Sequence, residues 1–216
     1  MKVALAGATG KVGAPLLAEL LARGHDVVAL VRDTARLPDA EPHLEPVGGD
    51  VFDTATLAGV AARCEVLVAA VALRDPAQQE RTPVQLARTL MAAASAAGVR
   101  LLMLGGAGSL RTASGEDFVD TAAFPDVARP ESHGFREALR ALRSEAPPEL
   151  EWTMLCPPAR IEPDGERTGE YRLGVDDLVL DADGSSHISA ADLAVALADE
   201  IEHPAHRRTR FAVGAR

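Results

Sequence analysis

The sequence predicts a doubly wound α/β fold, in which a parallel sheet is covered by helices on both faces. Three observations carry this. Short β-rich apolar runs alternate with longer amphipathic ones through the first half of the chain. The run over 66–72 is almost continuously apolar, as a strand covered on both faces must be. Glycine-rich stretches follow the first and the fifth of the β-rich runs, at 7–13 and at 105–108.

Each element follows from its own signals. A first strand is predicted over 3–6, then a helix over 12–23, with apolar Leu16, Leu17, Leu20 and Leu21 and with Gly24 just past its end. Strands over 27–31 and 45–49 flank the turn-rich segment 39–42, and a short helix covers 54–62. After the apolar strand at 66–72 come a helix over 83–97, ended by Gly98, and a fifth strand over 99–104. The polar stretch that follows, with Pro125 and Pro130, reads as a long functional loop, because structureless loops of that length are uncommon in compact domains. A helix over 132–145 and a sixth strand over 151–155 complete the repeat, and Cys156-Pro157-Pro158 ends that strand. Beyond lie a hairpin region over 169–180, a helix over 189–202 whose Ser189 and Asp192 resemble a capping box, and a last strand over 210–213.

Bulk properties bound the function. A chain of 216 residues suits one domain over 1–216, with 157–188 as a small C-terminal lobe on the substrate side. A net charge of −10 argues against nucleic acid, which is held by clustered cations. No apolar run approaches the roughly 20 residues of a membrane span, and Met1 to Ala6 reads as a strand rather than a leader, so a cytoplasmic protein is expected. Cys64 and Cys156 lie far apart in apolar runs and read as reduced core residues. No metal site is expected. His203 and His206 lack a cysteine partner, and Asp176, Asp177, Asp181 and Asp183 lack calcium-loop spacing.

The loop Gly7-Ala8-Thr9-Gly10-Lys11-Val12-Gly13 carries the chemistry. Gly7 suits a sharp turn, Gly10 a close approach of backbone to a pyrophosphate, and Gly13 tight packing of helix on strand. G-x-x-G-x-x-G alone is a weak signal. Placed between a predicted strand and a predicted helix, at the head of βαβ units, it points to a dinucleotide on a helix N-terminus. The end of the second strand meets the adenosine ribose in such folds. Here it carries Arg32, with Arg36 a turn further, which favours NADP(H), beside Asp33, which suits NAD(H). Asp50 and Val51 would border the adenine, and Ala70 to Ala72 the nicotinamide half.

Together these residues resemble the atypical short-chain dehydrogenase/reductase superfamily with a GATGxxG loop, in its NAD(P)H-binding branch. Gly105 to Leu110, Gly165 to Tyr171 and Ile188 to Ala194 extend the likeness to the bacterial group labelled NADH-flavin reductases. Leu73-Arg74-Asp75, Cys156-Pro157-Pro158 and the same tail give a more distant similarity to flavin and biliverdin-IXβ reductases. The resemblance implies a Rossmann-type fold with the cofactor across the strand ends. It would be touched by Thr9, Gly10, Lys11, Val12, Arg32, Asp50, Val51, Val71, Arg74, Gly105, its neighbour Gly106, Pro157, Ala159 and Arg160. Those enzymes place a serine where this chain has Gly106, which would shift any serine role to Ser109.

Short-chain dehydrogenases commonly use a tyrosine whose acidity is raised by a lysine four residues on. This chain has one tyrosine, Tyr171, and only Lys2 and Lys11 as lysines, so it cannot build that pair. His133, four residues before Glu137, is the substitute at the usual place. Hydride transfer to a conjugated ring demands less of the protein than carbonyl reduction. The expectation is therefore an NAD(P)H-dependent reductase of a flavin-like or quinone-like small molecule, with flavin as substrate rather than as a tightly held cofactor, in a monomer or homodimer. A non-enzymatic NADP-binding redox sensor and an epimerase- or dehydratase-like isomerase are the alternatives.

Overall fold

A computed structural model describes residues 1–39, 41–73 and 81–216. Strand β1 (Lys2–Ala6) sends alternate side chains to opposite faces, as a pleated strand must. Val3 and Leu5 enter one core, against the helices α1 (Gly13–Ala22) and α5 (Ala190–Glu202). Ala4 and Ala6 enter the other, against α2 (Thr54–Ala61), α3 (Pro83–Ala97) and α4 (Arg129–Glu145). Two cores behind one sheet make the fold a doubly wound one.

The remaining strands are β2 (Asp26–Val31), β3 (Leu44–Gly48), β4 (Val66–Ala69), β5 (Arg100–Leu104), β6 (Trp152–Cys156), β7 (Arg160–Glu162), β8 (Tyr171–Gly174), β9 (His187–Ser189) and β10 (Thr209–Ala215). Among the described residues, eight of them form one sheet in the order β3-β2-β1-β4-β5-β6-β10-β8, all parallel except β8. The order reverses between β1 and β4, and ligands of such sheets bind at that switch point, beyond the carboxyl ends of the strands. The fold is thus a Rossmann-type α/β fold. Among the described residues no helix is long and apolar enough to cross a membrane.

Four local differences from the sequence reading have physical causes. Strand β4 stops at Ala69 instead of 72, because its partner β1 ends where Gly7 turns away at φ +87°. Helix α4 starts at Arg129 rather than 132. Pro130 sits in its first turn, where a missing N–H costs nothing. The 169–180 segment is not a hairpin: β8 pairs antiparallel with β10, and the chain after it turns back to meet Arg111. The pair β7–β9, a parallel two-stranded sheet, was not anticipated, since three-residue strands show no period.

Among the described residues, the α-helix starts are capped by side chains at three places. Thr82 and Gln85 form a reciprocal capping box on α3, and Asp53 caps α2. Ser189 caps α5 by accepting from the Asp192 amide, but the Asp192 carboxylate does not reach back. It accepts instead from the amides of Thr168 and Gly169, at 2.9 and 2.8 Å.

The loop of 105–130 is pinned rather than loose. The guanidinium of Arg129 donates to the carbonyls of Val119 and Phe124, and the buried Arg210 of β10 donates to the Ser109 carbonyl at 2.6 Å.

Packing behind the first loop sets the first testable expectation. A β-carbon at Gly13 would lie 1.9 Å from the Gly7 carbonyl oxygen, whereas one at Gly59, on an exposed turn of α2, would meet nothing within 4 Å. Gly13→Ala should cost about 1–3 kcal/mol, and Gly59→Ala should be neutral or add roughly 0.5–1 kcal/mol. Thermal melts separate the two, at about 2–4 °C per kcal/mol for a chain of this size.

Candidate functional site

The loop after β1 is shaped by backbone alone. Gly7 takes a positive φ, the Gly10 amide donates to the Gly7 carbonyl at 3.0 Å, and the Ala14 amide continues to Gly10 at 2.9 Å. A β-carbon at Gly7 would stand 2.5 Å from the Ala70 carbonyl oxygen, so loop and β4 end are in direct contact. Val12 makes no side-chain cap on α1. The start of α1, with the positive end of its dipole, therefore adjoins the hollow in front of the loop.

That hollow is a cleft of about 340 Å³ at the switch point. Its floor is Gly7, Thr9, Gly10 and Lys11. One wall comes from the end of β2, through Leu30, Val31, Arg32 and Arg36; another follows β3, through Gly49 to Phe52. Ala70 to Leu73, beyond β4, close the far half, and Arg81 reaches in from the start of α3. A second hollow, of about 420 Å³, is walled by Arg111, Thr112, Asp177 and Leu180. It is bounded by loops whose Arg111 and Asp176 already pair at 3.0 Å, and among the described residues no helix start lines it. The cleft is the better candidate.

Among the described residues, charge in the cleft is mostly positive, with one carboxylate. The oxygens of Asp50 accept from the Phe52 amide at 3.0 Å and pair with Arg81 at 2.6 Å. Burial raises the Asp50 carboxyl, but the Phe52 amide, Arg81 and the charge of Arg32 together hold it below the usual carboxylate range. The guanidinium of Arg81 also lies 4.8 Å from the centre of the Phe52 ring.

A family model described as NAD(P)H-binding matches residues 7–204, which includes every wall of this cleft. The chain belongs to the NAD(P)H-binding family. It is 36% identical over 217 residues to YwnB, an uncharacterised protein of Bacillus subtilis, covering 99% of this chain and 98% of that one. A Bacteroides thetaiotaomicron structure, provisionally named an epimerase, is 36% identical with a TM-score of 0.89, covering 99% of this chain and 96% of that one. A Streptococcus pneumoniae structure, provisionally named an NADH-flavin reductase, is 28% identical with a TM-score of 0.85, over 100% of both chains.

Within the NAD(P)H-binding frame, the sequence-derived residues fall into three groups. Gly7, Thr9, Gly10, Lys11, Arg32, Arg36, Asp50, Val51, Ala70 and Val71 all line the cleft. Val12 and Gly13 are buried just behind the loop. Gly105, Gly106, Pro157, Ala159 and Arg160 follow the neighbouring strands β5 and β6 and are not part of the described cleft wall. There Arg160 pairs with Glu162 at 2.6 Å, and the Ala159 amide donates to Ser186 Oγ at 3.3 Å. Arg74 lies outside the described residues.

Phe52 and Arg81 are cleft residues that the sequence did not single out. Nothing in spacing could have found Arg81, since only the packing of α3 brings it to the β3 end.

The proton-donor candidates are differently placed. Ser109 is buried, and its Oγ accepts from Arg210 at 3.0 Å and lies 3.9 Å from the Cys156 sulfur, whose thiol burial pushes up. His133, half-buried on α4, has its Nδ1 2.9 Å from Arg136, which pairs with Asp117 and Asp120. Glu137 pairs with Arg140 rather than with His133. Two residues before His133, Glu131 accepts from the Leu73 amide at 2.8 Å, tying α4 to the far half of the cleft.

Tyr171 stands on β8, at the edge of the sheet opposite β3. Its hydroxyl donates to Asp199 of α5 at 2.7 Å. The glycine-rich segment before it is a strap: Arg167 grips Glu19 of α1 with two bonds of 2.9 Å, and Thr168 Oγ1 donates to Asp192 at 2.8 Å.

Burial, followed by the bond to Asp199, raises the Tyr171 phenol well above its ordinary value. For a proton held more tightly in the folded state, the associated stability is complete below the unfolded pKa of about 10 and lost as pH climbs towards the folded one. Tyr171→Phe should thus be less stable than the unmodified chain at pH 8 by about 1 kcal/mol, and the gap should narrow above pH ~10. Urea midpoints measured at both pH values check this, and a gap that stays constant would mean that Asp199 does not hold the phenol.

Proposed function

We propose that this chain is an NADPH-dependent reductase that passes hydride to a flavin-like or quinone-like conjugated acceptor. The observation that carries the reading is the make-up of the cleft wall: among the described residues it holds four cations, Lys11, Arg32, Arg36 and Arg81, and no tyrosine. Four cations suit a ligand with several phosphates. A wall without a phenol suits an acceptor that needs no strong acid.

The glycine cradle at Gly7 and Gly13, which leaves no room for a β-carbon, fits a dinucleotide. A bound nicotinamide would supply the hydride. In this reading the α1 amides and Lys11 hold the pyrophosphate, Arg32 and Arg36 the adenosine 2′-phosphate, and Asp50 and Val51 the adenine edge. Ala70 and Val71, together with Gly105, Gly106, Pro157, Ala159 and Arg160, border the nicotinamide half and the acceptor. Ser109 is assigned to holding the loop through Arg210, and His133 is the proton donor after hydride transfer. The protein works on a small molecule in the cytoplasm, as a monomer or homodimer, with neither nucleic acid nor membrane as a partner. An epimerase reading, favoured by the Bacteroides relative, differs in one observable: the cofactor would be retained through purification and returned unchanged.

Turnover decides the matter. NADPH should be oxidised in the presence of FMN or a simple quinone, NADH less readily, and simple ketones should be poor substrates. Arg32→Ala should abolish most of the preference for NADPH. Tyr171→Phe should keep turnover within a few-fold. A loss of about a hundredfold, or roughly 2.7 kcal/mol of transition-state stabilisation, would return the chain to the phenol-dependent dehydrogenases.

A further inference from the structure

Arg81 has a place in the cleft that its sequence neighbours do not explain. Its backbone immediately precedes Thr82, which is locked into the capping box of α3, so the side chain projects from a fixed point. At its tip the guanidinium meets two residues that follow β3. It pairs with Asp50 at 2.6 Å and lies over the Phe52 ring at 4.8 Å. Arg32, from the end of β2, is close enough to Asp50 to lower its carboxyl as well. The one carboxylate in the cleft wall therefore stands among the arginines that the NADPH reading gives to the adenosine phosphate.

An unpaired carboxylate beside Arg32 would act against a 2′-phosphate held there, because its charge repels a phosphate dianion. Pairing with a guanidinium removes that effect. The Phe52 face favours the cation in this position without supplying a competing negative charge.

We infer that Arg81 is a cofactor-specificity residue, which admits a 2′-phosphorylated adenosine by holding the Asp50 carboxylate in an ion pair. The inference rests on the NADPH reading. It differs from a simple phosphate contact in naming Asp50 as the group through which Arg81 acts.

Binding to the full chain tests it without turnover. Dissociation constants for NADPH, NADH, 2′,5′-ADP and 5′-AMP would be measured by calorimetry for the unmodified chain, Arg81→Ala, Asp50→Asn and the double variant. Arg81→Ala should weaken NADPH and 2′,5′-ADP by about tenfold or more, while NADH and 5′-AMP change by less than about threefold. Adding Asp50→Asn to Arg81→Ala should recover most of the lost affinity for 2′,5′-ADP. Both side chains are about a third exposed, at 34% and 35%, so neither replacement opens the core. Should Arg81→Ala nonetheless melt early, Arg81→Gln carries the same expectations.

Equal weakening of phosphorylated and unphosphorylated ligands would overturn the inference, as would a double variant no better than Arg81→Ala. In either case a preference for NADPH in the unmodified chain leaves the proposed function standing. If the unmodified chain shows no such preference, the NADPH reading and the inference fail together.

Discussion

The cleft depends on how closely three stretches of backbone approach one another behind it. Gly13 begins α1 directly against the Gly7 carbonyl, and Gly7 passes against the carbonyl of Ala70, with no space for a side chain at either contact. These two approaches have separate consequences. The first brings the helix start up to the floor of the cleft, so that the positive end of the helix dipole adds to the charge of Lys11 and the arginines there. The second turns the chain out of the sheet after β4, so that Ala70 to Leu73 line the far half of the cleft instead of extending a strand. A single larger side chain at Gly13 would disturb both, because the helix and the turn share that contact.

Arginine does most of the remaining positioning. The chain has 22 basic residues, of which only Lys2 and Lys11 are lysines. A guanidinium offers five donors in a rigid fork, which suits it to collecting several carbonyl oxygens at a loop end. Arg129 and Arg210 do so for the segment after β5, and Arg208 donates to the carbonyls of Pro147 and Leu150 at 2.7 Å each. Loops that carry little apolar burial are thereby held in place. In the cleft the same residue type serves charge instead, and Arg81 combines the two uses by fixing a carboxylate.

Which parts were legible in the sequence follows from the range of the interaction that makes them. The strands and helices of the first half announce themselves through local periodicity, and the ends of α3 match the reading because Thr82 and Gly98 are local signals. Strands β7 and β9 are three residues each and stabilise one another across 27 positions, so neither has a pattern of its own. The pairing of β8 with β10 instead of a neighbouring strand is likewise a tertiary choice. In the cleft, Arg32 and Asp50 were visible because they end strands that must converge at the switch point. Arg81 was not, since it reaches the cleft only through the docking of α3. Ser109 could be named from its glycine-rich run, but its bond to Arg210, about a hundred residues away in sequence, is a tertiary contact.

The two halves of the site are held by different means, and this bears on how one frame hosts different chemistry. The glycine-loop half is fixed by close backbone contacts at Gly7 and Gly13. Later segments are secured by side-chain bonds: the strap that joins Arg167 to Glu19 and Thr168 to Asp192, the Arg129 and Arg136 anchors, and Glu131 on Leu73. Each of these bonds can be replaced singly without disturbing the glycine turn. Relatives bearing the names of a reductase and of an epimerase, at 28% and 36% identity, superpose on this chain along almost its whole length. Their common fold accounts for what the two share, and a difference in reaction has to come from side chains set on that fold.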